Sequence, residues 1–384
     1  MTEQSPGPWQ AADQDHMARA IRLAEQGRCT TDPNPRVGCV LVRDGRVVGE
    51  GWHRRAGEPH AERNALRQAS DAARGATAYV TLEPCCHHGR TPPCTEALIA
   101  AGVTRVVCAM VDPNPLVAGQ GLARLRESGI AAASGLLEAE SRALNPGFVK
   151  RMEQGLPYVR CKLAASLDGR TAMPDGESKW ISSAEARRDV QHLRAASSAI
   201  LTGVDTVLAD DPSLNVRLTA AELQALEPGS RVRQPLRVVV DGRWRMPTKA
   251  RMLGLFGATL VAGVAVAPER ESALVAAGAQ VWRAPDRAGR VDLRALMAEL
   301  AARGCNEVLL ESGPRLAGAM LAEGLVDELV IYLAPHLMGD AARGLFHLPA
   351  VTAMADRIAL DLLEVRRIGP DIRIRAVPVQ REPA

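Results

Sequence analysis

The segment Thr81–Cys94, TLEPCCHHGRTPPC, carries five Cys or His residues among its fourteen. These are the residue types that hold zinc. A structural zinc ion takes four protein ligands, whereas a catalytic one takes three and leaves a position for water. Cys85 and Cys94 flank the Gly/Pro-bearing run HHGRTPP, which can curl both sulfurs to one point. Cys86 adjoins Cys85, so its side chain should diverge, and His87 and His88 meet the same difficulty. The third ligand is therefore expected outside the segment. The best candidate is His60 in EPHAERNAL, where His60-Ala61-Glu62 opens a helix. His-x-Glu followed by Pro-Cys and a second Cys is the pattern of the zinc deaminases that act on cytosine and adenine.

The roles follow from charge. Two thiolates and a neutral imidazole, from Cys85, Cys94 and His60, hold Zn²⁺, which brings the pKa of a bound water toward ~7. Glu62 takes that proton and delivers it to a ring nitrogen. The attacked carbon must carry an exocyclic amine on a C=N bond, as in an aminopyrimidine. Two bland readings compete. One is a four-ligand structural site completed by His87 or His88, and the other is a set of buried thiols without metal. The cysteine pair is spaced C-x₈-C and not C-x₂-C, which argues against a plain nucleoside or tRNA deaminase.

The elements that must position these groups read as α/β. A helix is expected over Asp13–Gln26, then strands Val37–Val42 and Val47–Trp52 around an Asp44-Gly45 turn. A helix over His60–Ala73, a strand over Ala78–Leu82, a helix over Thr95–Ala101 and a strand over Val103–Met110 follow. Helices near Leu122–Glu127 and Leu136–Leu144 close an α/β/α pattern. A Pro/Gly-bounded seam, NPGFVKRMEQGLP (Asn145–Pro157), separates it from a second α/β unit. That unit opens with a strand at Tyr158 and a helix capped by Ser182-Ser183-Ala184-Glu185. Its later strands are Ala199–Gly203, Leu236–Asp241, Ala258–Gly263, Glu307–Ser312 and Glu328–Pro335, with a helix over Asp292–Ala302. Two domains are expected, 1–150 and 151–384, as a length of 384 residues suggests.

Composition narrows the partners. A net charge of +3 and 3% aromatic residues give no footprint for a nucleic-acid groove. No apolar run is long enough for a membrane span, and the N-terminal residues do not read as a signal peptide. Scattered cysteines in a long chain do not read as a disulfide scaffold. The expectation is a cytoplasmic enzyme with small-molecule substrates. A base deaminase acting on nucleic acid and a zinc-stabilised binding module without turnover are the alternatives. The first would need a basic, aromatic-lined groove, and the second would have no use for Glu62.

With PNPRVGCVLV before it, GEGWHRRAGEPHAE beside it and VDPNPLVAGQGL after it, the cysteine segment closely resembles the bifunctional riboflavin-biosynthesis deaminase/reductase (RibD) family. KLAASLDGRTAMPDGESKWIS, LTGVDTVLADDPSLNVR and LLESGPRLAGAML extend the resemblance across the second half. Cys86 stands where the family commonly has Ser, which fits a bystander, and Arg63 is a second local departure. The resemblance implies a cytidine-deaminase-like first domain and a dihydrofolate-reductase-like second domain, both α/β, with zinc and NADPH as cofactors. It implies deamination of 2,5-diamino-6-(5-phosphoribosylamino)pyrimidin-4(3H)-one, then reduction of the ribosyl group. It implies a homo-oligomer.

By the same resemblance Asn34 and His53 would line the first pocket, and His88 and Arg90 would meet the substrate phosphate or serve the loop's structure. Cofactor contacts would come from Ala164, Trp180, Thr206 and Asp210 and from Gly313, Pro314, Arg315, Leu316, Ala317, Gly318 and Ala319. Substrate contacts would come from Ser178, Arg194, Leu214, Arg217 and Glu311. Arg194 and Arg217 suit a phosphate, which takes forked or point cations. From the residues alone, an ordinary strand-to-helix turn is the favoured reading of Gly313-Pro314, and no G-x-G-x-x-G supports a Rossmann domain. Lys162 and Glu311 are the two charged candidates for the acid of the reduction.

Overall fold

In a computed structural model the described residues are 9–86, 93–219, 221–222 and 233–379. His87, His88 and Arg90 lie outside them. The chain divides into two compact units that part at Gly155–Leu156.

The first unit runs α1 (Ala11–Glu25), β1 (Gly38–Arg43), β2 (Arg46–Trp52), α2 (Ala61–Ala69), β3 (Thr77–Val80), α3 (Cys94–Ala100), β4 (Arg105–Cys108), α4 (Gln120–Glu127), β5 (Ala131–Ser134), α5 (Glu138–Leu144) and α6 (Pro146–Gln154). Its sheet has the order β2-β1-β3-β4-β5. The first hairpin turns at Asp44 and Gly45, both at positive φ, as the Asp-Gly signal requires. Cys39, Val80 and Cys108 stand in register across β1, β3 and β4. They share one core cluster with Ala61, Ala65 and Leu98 from α2 and α3. Helix α2 lies close on β2 because position 51 is glycine. A Cβ there would come within 2.5 Å of the Ala61 carbonyl oxygen. That packing sets where the first turn of α2, with Glu62, faces.

The seam expected over Asn145–Pro157 is mostly helical. Asn145 joins α5 to α6, with Pro146 at the first helical position, where a missing N–H is harmless. Its side-chain amide donates to the Arg36 carbonyl and accepts the Arg36 N–H, both at 2.8 Å. Gly155 closes α6 in the left-handed region. A cut at residue 150 would therefore split a helix.

The second unit holds nine strands in the order β11-β10-β9-β8-β12-β6-β13-β16-β15. In chain order these are β6 (Tyr158–Ser166), β8 (Ala199–Gly203), β9 (Leu236–Val240), β10 (Thr259–Gly263), β11 (Gln280–Arg283), β12 (Glu307–Leu310), β13 (Glu328–Ala334), β15 (Leu360–Ile368) and β16 (Asp371–Pro378). A small pair, β7 (Arg170–Ala172) and β14 (Arg343–Gly344), stands apart. Strands β11 to β13 along this order are parallel, β16 runs antiparallel to β13, and β15 runs antiparallel to β16. Helices α7 (Ala184–Ala196) and α8 (Val204–Asp210) follow β7 and β8. The N-cap of α7 is Ser183, whose Oγ accepts the Ala186 N–H. This is one residue later than the Ser182–Glu185 box suggests. The C-terminal hairpin β15–β16 was not foreseen. Most of β15 is exposed, so its sequence lacks the alternation of a half-buried strand.

Candidate active sites

Three short segments of the first unit deliver the metal-binding set. His60 is the N-cap of α2, Cys85 follows β3, and Cys94 is the first residue of α3. His60 Nδ1 lies 3.7 Å from Cys85 Sγ and 3.4 Å from Cys94 Sγ, and all three ligand atoms fall within 4.8 Å of one another. A tetrahedral ion with bonds of ~2.0–2.3 Å separates its ligand atoms by roughly 3.3–3.8 Å. The two sulfur–nitrogen distances fit that requirement. Cys86 is half-buried and outside the cluster.

The charges fit as well. Hydrogen bonds from Cys94 and His60 hold the Cys85 thiol down to about 4 against the effect of burial. Cys94 is pushed well up by its bond to Cys85 and by burial. The Cys94 thiol therefore resists ionising beside Cys85. A dication supplies the attraction that makes the second thiolate stable.

Glu62, in the first turn of α2, is 3% exposed. Burial pushes its carboxyl up, His60 opposes, and the charge of Cys85 adds. Beyond it lies a relay. His53 Nδ1 is 3.2 Å from the Pro59 carbonyl, and His53 Nε2 is 3.0 Å from Asn34 Nδ2. A carbonyl only accepts, so Nδ1 carries the proton and Nε2 accepts from the Asn34 amide. Burial lowers His53 to about 4, which keeps the ring neutral. The Asn34 carbonyl oxygen is left as the acceptor that this side chain can offer. Asp112 is one residue the sequence reading passed over. It is buried in the turn after β4, and burial, with the charges of Glu83 and Cys85, lifts it to about 6 against the Asn114 N–H. Its only signal in the sequence was an acidic residue opening VDPNP.

In the second unit the groups gather at the C-terminal ends of adjacent parallel strands, where open α/β sheets place ligands. Glu311 follows β12, and its N–H binds the Leu201 carbonyl of β8. Lys162 and Ala164 lie on β6, and Thr206 and Asp210 on α8. Arg194 of α7 forks onto Glu311, Nε to Oε1 at 2.6 Å and a terminal nitrogen to Oε2 at 2.9 Å. Its other terminal nitrogen donates to the Asn215 carbonyl. Burial raises the Glu311 carboxyl, but Arg194, Lys162 and Arg217 outweigh it and hold it below the usual range. Burial, and Arg194 nearby, lower Lys162. The expected phosphate ligand Arg194 is thus already committed to a carboxylate, while Arg217 is exposed.

The remaining expected positions separate by depth. Trp180 is 71% exposed, with the Arg187 guanidinium 4.5 Å over its ring. Ser178 is half-buried, and neighbouring Lys179 pairs with Asp210 at 3.6 Å. Leu214 is buried in a core cluster at positive φ. In the segment 313–319, Gly313 and Arg315 are exposed at the start of helix Pro314–Ala322, and Pro314 and Leu316 are half-buried. Ala317 packs in the core, and Gly318 presses on the His347 carbonyl so tightly that a Cβ would lie 2.1 Å away. The first turn of that helix is its open end, with Ala319 half-buried behind it.

Residues 10–110 match the family model described as cytidine and deoxycytidylate deaminase zinc-binding region, and residues 157–374 match the RibD C-terminal domain. The riboflavin biosynthesis protein RibD of Escherichia coli K12 is 53% identical over 367 residues, covering 95% of this chain and 99% of its own. That of Haemophilus influenzae is 49% identical and covers 94% and 96%. Among solved structures, RibD of Acinetobacter baumannii (form 1) superposes with a TM-score of 0.88 at 47% identity, covering 96% and 99%. A deaminase/reductase from Thermotoga maritima superposes at 0.82 with 30% identity and the same coverage.

Proposed function

The chain belongs to the RibD family of riboflavin biosynthesis, and from that premise we infer how its two units divide the work. The protein is a bifunctional enzyme. It hydrolytically deaminates 2,5-diamino-6-(5-phosphoribosylamino)pyrimidin-4(3H)-one with zinc. It then reduces the ribosyl group of 5-amino-6-(5-phosphoribosylamino)uracil to the ribityl chain with NADPH. The observation that carries the first reaction is the convergence of His60, Cys85 and Cys94 beside the buried carboxyl of Glu62. Zinc held there supplies a nucleophilic water near neutral pH. Glu62 takes one proton from that water and gives it to the ring nitrogen, then carries a second, from the hydroxyl added to the ring carbon, to the departing amine. A high affinity for protons, from burial, suits a group that must hold one between two transfers. Asn34 presents its carbonyl oxygen to an N–H of the pyrimidine, held in that orientation by His53.

For the reduction, the first turn of helix Pro314–Ala322, together with Ala164, Trp180, Thr206 and Asp210, would hold NADPH, which supplies the hydride. A phosphate suits the backbone N–H groups at such a terminus. Ser178, Leu214 and Arg217 contact the ribotide. Glu311, fixed as an anion by Arg194, orients it. Lys162, whose proton is loosened by burial, is the better proton donor to the opening sugar.

The protein works in the cytoplasm as a homo-oligomer. Among the described residues no helix is long and apolar enough to cross a membrane. The edge strand β15 exposes Leu362 (65%), Leu363 and Val365, an apolar row that a second copy would cover. The test is to give the purified protein the diaminopyrimidine ribotide with and without NADPH, following ammonia and cofactor absorbance separately. Ammonia should appear in both mixtures, and cofactor oxidation should need prior deamination. A chain starting at Leu156 should reduce the pre-deaminated ribotide alone.

A further inference from the structure

The first unit buries a second glutamate that the chemistry above does not use. Glu83, two residues before Cys85, is 3% exposed. Its Oε2 accepts the backbone N–H groups of Asp112 at 3.1 Å and Gly119 at 2.9 Å, and its Oε1 accepts that of Leu122 at 3.0 Å. All three donors belong to one continuous stretch, the turn after β4 and the first turn of α4. Gly119 is the N-cap of α4, so the carboxylate sits where the helix leaves N–H groups unpaired and where its dipole favours a negative charge. The cap comes from the end of another strand. Glycine at 121 permits this approach, because a Cβ there would lie 2.2 Å from the Pro84 carbonyl oxygen. The same stretch carries Asp112, which lies close enough to feel the charge on Cys85. The chain on one side of this joint presents a metal ligand. On the other side it presents a buried carboxyl of the same site.

We propose that Glu83 is a positioning residue for the deamination. It locks the loop Asp112–Gly119 onto the strand end that presents Cys85, so that Cys85 and Asp112 keep one spacing and the loop forms a fixed wall of the substrate pocket. An ionised carboxylate offers several acceptor sites in one plane. An amide of the same shape turns one of its oxygens into a donor that faces a backbone N–H. The lock therefore needs the acid. A wall that holds the pyrimidine equally in the ground and transition states acts on KM more than on kcat.

The inference rests on the deaminase reading, and the reductase in the same chain serves as an internal reference. Glu83→Gln should keep one zinc per chain and unchanged reductase activity, and raise the deaminase KM about tenfold or more, the scale of a lost hydrogen bond to a charged group. Gly121→Ala pushes the same joint apart from the other side without touching the carboxylate, and should show the same KM signature. If Glu83 only stabilised the fold, each variant would lower the active fraction, and so the apparent kcat, with KM unchanged. Unchanged KM in both variants overturns the proposal. Loss of zinc in Glu83→Gln in step with activity also overturns it, because the role would then lie with the metal ligands. If Glu83→Gln fails to fold, KM in Gly121→Ala decides. A parent protein that releases no ammonia would instead remove the deaminase reading itself.

Discussion

Each unit sets a glutamate among its candidate reactive groups, and the two carboxyls are shifted in opposite directions. Among the described residues no arginine forks onto Glu62. Burial and the Cys85 charge push its carboxyl up, and His60, with weaker hydrogen bonds from its own backbone and from Cys94, pulls against them. Glu311 is half-buried, which also pushes it up, yet the Arg194 fork, with Lys162 and Arg217 nearby, holds it below the usual range. The same side chain is thus made readier to hold a proton in one unit and readier to lose it in the other, through its surroundings. A hydrolytic deaminase needs a group that changes protonation during turnover. A site that places a phosphorylated sugar against a hydride donor needs one that does not.

The largest effect should come from removing the ligands that surround Glu62. Cys85→Ser, Cys94→Ser and His60→Ala should each lose bound zinc and ammonia release while leaving reduction of the pre-deaminated ribotide unchanged. Cys86→Ser should keep its zinc. Metal analysis beside both assays checks this, and zinc loss in Cys86→Ser equal to that in Cys85→Ser would break the three-ligand assignment.

Next comes Glu62→Gln, expected to keep zinc and lower deamination about 10²–10⁴-fold. Deamination within about fivefold of the parent would remove Glu62 from the proton path. The matching change in the second unit is Glu311→Gln. There the expected damage is structural as well as chemical, since it strips the partner from a buried arginine, a loss on the order of 3–5 kcal/mol. Calorimetry should show the second unit's transition falling while that of the first holds. The sign with pH follows from the depressed carboxyl. The pair's contribution is present at neutral pH and above the ordinary glutamate value of 4.5. It is lost as the pH falls from there through the lower folded value. Glu311→Gln should therefore lose much of its deficit relative to the parent in strong acid. An equal deficit at every pH would mean the pairing adds nothing.

The two sites also differ in how much of them the sequence displayed. Zinc chemistry accepts few residue types at strict spacings, so His60, Glu62, Cys85 and Cys94 were readable from their order and neighbours. The hairpin at Asp44-Gly45 and most helices of both units were readable from periodicity and turn residues. What stayed hidden depends on backbone partners that no spacing announces. Glu83 and Asp112 gain meaning only when the turn after β4 folds back over β3. Arg194 and Glu311 lie 117 residues apart, and nothing in either segment signals the fork. Helix α6 was obscured by Pro146, Gly147 and Gly155. Two of these sit at its first turn and one at its end, where such residues begin and close helices instead of breaking them.

The smallest change sharpens the comparison most, because it concerns the arginine of the second site that the fork does not consume. Arg194 commits all three of its nitrogens, two to Glu311 and one to the Asn215 carbonyl. Arg217 is exposed. Its backbone N–H is fixed by Gln191 Oε1 at 2.8 Å, and one terminal nitrogen rests on Asn215 Oδ1 at 2.7 Å. Partial burial and the nearby Arg194 charge lower its pKa, with Glu311 opposing, so an arriving dianion would relieve a like-charge contact already present. Arg217→Ala should therefore raise the KM for the ribotide roughly ten- to over a hundredfold, the scale of a charge-assisted hydrogen bond. The KM for NADPH and the deaminase should stay near those of the parent. A phosphate contact that is equal in the ground and transition states appears in KM and leaves kcat largely alone. The discriminating measurement pairs substrate with and without its 5′-phosphate. The parent should strongly prefer the phosphorylated form, and the variant much less. Arg194→Lys, which breaks the fork, should act differently, lowering kcat and stability while keeping the phosphate preference. If the two variants exchange these signatures, Arg194 holds the phosphate and its pairing with Glu311 opens when substrate binds.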